Sequence, residues 1–281
     1  MIGGHYALRG ATNRLMLALC ILATLLSVGV LVIILGFVLV NGIGAISLDF
    51  FTELPRPAGR PGGGVANSIV GTLILIAIAS FFAMPIGVGA GIYLAEIARP
   101  RVAGVIRFVL DVLTGVPSIV VAIFAFALVV RRMGHFSALA GGIALAVIMI
   151  PIVAITTQEA LALVPQSLRE AAWALGIRRW RTTVSVVLQV ARRIIVTGAL
   201  LAVARGAGET APLLFTAFGN PHWNTNTLEP IASLPQTIYV YGISPYDDWH
   251  EKAWASSLVL VIVVMGLSLA VRTVLGRRPR S

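Results

Sequence analysis

The sequence predicts an all-α fold, a polytopic bundle of six membrane-spanning helices, and three observations lead to it. Hydrophobic residues make up 58% of the 281 and charged residues only 11%. The apolar residues gather into windows at or above the ~20 positions a helix needs to cross about 30 Å of hydrocarbon. Most of the basic residues flank those windows, as topology signals do. The short alternating segments of a membrane barrel have no counterpart here.

Residues 1–14 read as a cytoplasmic N-terminus and 15–40 as the first span. Arg9 and Arg14 precede it, so it could pass for a secretory signal. Its 26 uncharged residues nevertheless exceed the roughly 7–15 of a signal-peptide core. The connection at 41–64 contains "LPRPAGRPGGG" and reads as irregular and outside. The second span, 66–95, ends "AMPIGVGAGIYLAE". No strand precedes these glycines, so they do not suit a dinucleotide loop. Ala83, Gly87 and Gly91 recur every fourth residue, which assigns Gly87 and Gly91 to close helix packing. A basic inside turn follows at 96–107, and spans three and four are read at 108–130 and 138–158.

Residues 159–193 form a long inside segment containing a short helix within 165–181, "PQSLREAAWALGIRRWR". Ser167 and Glu170 are spaced as a capping box, and Gly176 suits the left-handed residue that stops a helix. So short a helix is unstable alone. Its low-profile Ala171 and Ala172, beside Leu168, Trp173 and Leu175, suit insertion into a partner's groove. Capping alone would also account for Glu170.

The fifth span, 194–218, carries the most unusual residues, in "ARGAGETAPLLFTAFGN". Arg205 lies about 16 Å along a helix starting at Ile194, close to the bilayer centre. An arginine at that depth costs ~2.5–3.5 kcal/mol on insertion scales, so it should face the bundle interior or water. Glu209, four residues on, is within reach if the helix is regular. Gly206, Gly208 and Pro212 allow a break near Gly208, which Arg205, Glu209 and Thr210 would surround. A neutralising ion pair that fixes packing is one reading. The other is an oxyanion site, since the guanidinium fork matches phosphate-like groups and leaves molybdate and sulfate open.

The outside segment 219–252 is rich in Trp, Tyr and Pro. Trp223, Tyr239, Tyr241, Tyr246, Trp249 and Trp254 there and just beyond read as an interfacial belt. The sixth span, 253–275, closes a single transmembrane domain at 15–275, and 276–281 is a cytoplasmic tail. With both termini inside, fifteen arginines fall inside and Arg56, Arg60, Arg131, Arg132 and Lys252 outside, as the positive-inside rule prefers. The net charge of +10 is thus a topology and lipid-headgroup signal rather than a nucleic-acid footprint. One cysteine and four scattered histidines give no disulfide and no metal-ligand spacing, and no cofactor is expected.

"EAAWALG", with Glu170, Ala171, Ala172 and Gly176, resembles the EAA motif of the membrane subunits of bacterial binding-protein-dependent ABC importers. Gln189 stands where that pattern often has proline. Residues 204–220, together with "YLAEIA", "VPSIV", "MGHFSALAG", "LVPQSLREAAWALG", "PIASLPQTIY" and "EKAWA", are similar to the A-type permeases of phosphate-specific importers. The resemblance covers about 66–275. It implies a MetI-like importer-permease fold, a coupling helix seated on a cytoplasmic ATPase dimer, and a homologous C-type partner permease. It also implies an extracytoplasmic phosphate-binding protein and a translocation role for Arg205 and Glu209. The chain has no GxxxxGK[ST], so it is read as a non-enzymatic subunit driven by ATP hydrolysis elsewhere. A self-contained proton-coupled anion carrier is the rival, though no internal repeat supports it.

Overall fold

A computed structural model describes residues 2–57, 59–60 and 62–276. The expected tail at 277–281 lies outside the described residues. Thirteen α-helices follow in chain order among them: α1 (Ile2–Ile43), α2 (Leu48–Thr52), α3 (Ala66–Ile92), α4 (Pro100–Gly115), α5 (Ser118–Ala125), α6 (Arg131–Met133), α7 (Ala138–Ala162), α8 (Gln166–Ala174), α9 (Arg179–Thr182), α10 (Leu188–Gly208), α11 (Ala211–Thr216), α12 (Leu234–Gly242) and α13 (Asp247–Gly276). Three π-helical turns extend α3 (Tyr93–Ile97), extend α5 (Phe126–Val130) and join α9 to α10 (Thr183–Val187). Five helical stretches are long and apolar enough to cross a membrane, or six with one bent pair counted as a span.

That bent pair is a correction to the sequence reading. The run 108–130, expected as one straight span, is split between Pro100–Gly115 and Ser118–Met133, which meet at 102°. Pro117 is the cause. A proline disfavours the helical region for the residue before it, and Val116 is extended at φ −68°, ψ 129°. The first helix also continues through the boundary drawn at residue 14, because nothing between Ile2 and Ile43 interrupts it.

The core forms around α7, whose apolar window is the most buried of all the spans. Its glycines and those of α3 explain how closely the two helices approach. A Cβ on Gly87 would lie 2.7 Å from Val153 Cβ, and one on Gly91 2.5 Å from Thr157 Cβ and 2.7 Å from the Ala154 carbonyl. Ala83 is fully buried in the same seam. Small residues at this interface let backbone meet backbone, which is the source of packing energy where lipid tails are as apolar as leucine. α10 packs against another face of α7, with Gly206 set against Met149 and Gly198 against Thr156.

The N-terminus of α7 is closed by loop backbone. Ser137 Oγ accepts from Ala140 N at 3.1 Å, Ala138 N donates to Glu229 O at 2.9 Å, and Leu139 N donates to Thr227 O at 2.8 Å. These contacts satisfy amides that a helix start leaves unpaired. The segment 219–242 is held on α3 by Asn67 Nδ2 donating to Asn220 O at 2.7 Å and Leu234 N donating to Thr72 Oγ1 at 2.8 Å. Of the aromatics read as an interfacial belt, Tyr241 is buried and stacks on Trp249 with ring centroids 4.4 Å apart. Burial, reinforced by the nearby Asp248 carboxylate, pushes the Tyr241 phenol up to about 12.

Gly91→Leu should force the α3–α7 seam apart. Overpacking of this kind costs ~1–3 kcal/mol. We expect a lowered thermal unfolding midpoint in detergent, while Gly89→Leu, with open space around it, should leave the midpoint nearly unchanged.

Candidate translocation site

The fifth span departs from its expected range at both ends. Helical structure runs from Arg179 to Gly208, thirty residues, so residues 179–193, expected to belong to the inside segment, are the first part of the same rod. The rod then stops. Glu209 is extended at φ −75°, ψ 123°, and α11 restarts only at Ala211, with Thr210 as its N-cap and Pro212 in its first turn. Gly208 ends the helix and Pro212, lacking an amide hydrogen, begins the next without losing a bond.

Arg205 occupies the last turn of α10, and its Nε lies 3.7 Å from Glu209 Oε1 across the break. The Arg205 side chain is 47% exposed and that of Glu209 18%. The reason is helical geometry: Gly198, Ala202 and Gly206 form the buried face against α7, which turns Arg205 outward. Val190, Ile194, Thr197, Leu201, Arg205 and Gly208 therefore make one exposed stripe along the rod. Beside it, a groove of about 360 Å³ runs past Ala204, Leu201 and Thr197 toward Thr156 and Glu159 of α7. Thr210 is half-buried at the break, where its carbonyl accepts from Leu213 N and Leu214 N, both at 3.1 Å.

A second constellation lies at the other end of the rod. The short helix expected within 165–181 is α8, Gln166–Ala174, and the capping box is not formed. Pro165 is the N-cap and no side chain caps the start, so Ser167 falls inside the first turn. Proline's fixed φ sets the start earlier than the serine would. Gly176 is left-handed at φ +75°, with Gly176 N donating to Trp173 O and Ile177 N to Ala172 O. Glu170, Ala171 and Gly176 are exposed, whereas Ala172 is the buried residue of the helix. Leu168 and Leu175 are exposed as well, while Trp173, partly exposed, carries the Arg179 guanidinium 5.3 Å from its ring centroid. Sequence reasoning missed Arg169, which forms a 2.8 Å ion pair with Glu96 at the end of the second span. The two residues are 73 positions apart, and no spacing rule links them.

Residues 87–278 match the family model described as "Binding-protein-dependent transport system inner membrane component". The chain belongs to this family. The match takes in α8, the rod and the break at Glu209. Its members are multi-pass permease subunits of the inner membrane, and such subunits work with ATPase and binding-protein partners. Among similar proteins is the phosphate transport system permease protein PstA of Yersinia pestis, 44% identical over 97% of this chain and 92% of its own length. PstA of Haemophilus influenzae is 43% identical over 94% of both chains. A probable PstA of Methanocaldococcus jannaschii is 39% identical over 75% of both. The fold is shared with a chain of the inward-facing MetNI methionine ABC transporter, at TM-score 0.63 and 19% identity over 76% of this chain and 96% of that one.

The exposed stripe makes a labelling prediction. With Cys20 replaced by Ser, single cysteines at Arg205 and Gly208 should react with a membrane-impermeant maleimide in the assembled family complex. Cysteines at Ala202 and Gly206 should resist. Equal protection of all four would place the stripe away from water.

Proposed function

We propose that this permease carries inorganic phosphate inward, with Arg205 as the cation that the anion meets midway across the membrane. The observation that carries the reading is the half-exposed guanidinium on the otherwise mostly apolar stripe of a membrane-long helix. Lipid cannot cover it cheaply, so the stripe lines a watery route or a partner chain. Glu209 neutralises Arg205 at rest, and an arriving phosphate competes for the same fork of donors. Thr210, at the break, adds a hydroxyl beside that exchange. The groove past Thr197, Thr156 and Glu159 supports an inward continuation of the route. The names of the similar permeases favour phosphate over molybdate or sulfate.

Six crossings, with the bent pair counted as one, and the positive-inside distribution support a cytoplasmic position for both termini. A homologous C-type permease faces the Arg205 stripe across that watery route. The ATPase dimer receives α8 through Glu170, Ala171 and Gly176, while Ala172 faces back onto this chain. From Arg179 to Arg205 the rod spans about 39 Å, so a displacement at α8 reaches the anion site along one continuous helix. Part of the outer segment 219–252 belongs to the face that a phosphate-binding protein meets.

The test is phosphate uptake into proteoliposomes holding the complete importer. Arg205→Ala should abolish uptake and Arg205→Lys should retain little, because an ammonium lacks the planar fork. Normal rates in both variants would reduce the pair to packing, and uptake by this chain alone under a proton gradient would select a carrier. Gly176→Val should separate ATP hydrolysis from uptake while leaving the subunit inserted, since a β-branched residue is strained at positive φ. Unchanged uptake by that variant would argue against force entering through α8.

A further inference from the structure

The coupling helix is hung from the membrane domain by very little. Only Ala172 of α8 is buried, and a nine-residue helix does not hold itself in water. Behind it, a cavity of about 1050 Å³ opens between helix and bundle, lined in part by Ile92, Glu96, Val164, Arg169, Trp173 and Trp180. The Arg169 side chain crosses this gap. Arg169 Nη1 donates to Val164 O at 2.6 Å, and Nη2 donates both to Leu161 O at 2.9 Å and to Glu96 Oε1 at 2.8 Å. The side chains of Arg169 and Glu96 are 11% and 13% exposed.

Helix electrostatics explain the partners. Glu96 sits in the π-helical turn that ends the second span, where the negative end of the helix disfavours an acid. Leu161 O and Val164 O are carbonyls at the end of α7, where a cation is favoured. A single guanidinium satisfies all three, so the ends of two spans and the first turn of α8 meet at one point. A lysine offers its donors from one atom and cannot fork between two carbonyls and a carboxylate in the same way.

We propose that the Arg169–Glu96 joint is the fixed pivot of the coupling lever, a pair of positioning residues that deliver ATPase motion to the rod. At its N-terminal end α8 is pinned to the α3–α7 scaffold; at its C-terminal end it passes through Gly176 into the rod that bears Arg205. A push on α8 about a pinned end rotates the rod against the scaffold. With the pin removed, the helix swings into the cavity behind it and the push is spent there. This inference rests on α8 being the ATPase contact.

The experiment compares wild type, Glu96→Gln, Arg169→Gln, Arg169→Lys and the double variant Glu96→Gln/Arg169→Gln, each in the complete importer reconstituted with its binding protein. Phosphate moved per ATP hydrolysed is read beside copurification of the ATPase subunits. We expect every variant to copurify normally. Phosphate per ATP should fall about tenfold in each Gln variant, the double variant should be no worse than the worse single one, and Arg169→Lys should fall between. Unchanged phosphate per ATP in Glu96→Gln and Arg169→Gln overturns the pivot, as do additive losses in the double variant. Loss of copurification in both Gln variants also overturns it, making the pair a folding staple. A wild-type importer whose uptake ignores ATP hydrolysis would sink the coupling reading itself, an outcome separate from a coupled wild type with fully coupled variants.

Discussion

A guanidinium on the side of a helix that crosses hydrocarbon must be met by water or protein, and this constraint orders the rest of the molecule. Arg205 cannot turn inward, because Gly206 beside it presses on Met149 and the rod's small residues are committed to α7. Nor can it be left to lipid, at ~2.5–3.5 kcal/mol for the bare charge. The chain answers with Glu209, mostly buried, at 3.7 Å across a break in the helix, which leaves Arg205 exposed on the stripe. What remains uncovered in one chain is therefore the part that requires a second chain or a water-filled path.

The α3–α7 seam and the rod are built by different means. The α3–α7 seam is backbone against backbone, with Gly87 and Gly91 against Val153 and Thr157, and it has no slack for sliding. The rod from Arg179 to Gly208 is instead long and one-sided in its packing, and at its Arg179 end it is joined to α8 through a left-handed glycine. A stiff seam beside a rod with a short lever at its foot suits a rocking movement. Close packing makes such arrangements switch between discrete states rather than deform smoothly.

Much of this was legible in the sequence, and where it was not, the physics says why. Apolar windows marked 66–95 and 138–158 well because uninterrupted burial in lipid or protein leaves no other reading. Gly176 could be read as a helix stop because its left-handed backbone suits few other residues. Gly206, Gly208 and Pro212 announced a possible break, and it falls at Glu209. The bend at Val116–Pro117 was hidden because the apolar residues on its two sides merge into one hydrophobic window. The capping box at Ser167 lost to Pro165, whose ring sets the helix start two residues earlier. The rod's basic first half looked like a connection, since charge marks where lipid ends and not where a helix ends. Arg169 and Glu96 were unreadable as a pair because only the tertiary fold brings their two elements together.

The most direct measurement is a structure of the complete importer in a lipid bilayer, trapped with phosphate inside the membrane domain. The account predicts a phosphate oxygen within about 3 Å of the Arg205 guanidinium, with the Glu209 carboxylate drawn away from it. Phosphate crossing elsewhere, with Arg205 and Glu209 still paired and closed off by a neighbouring helix, would contradict it.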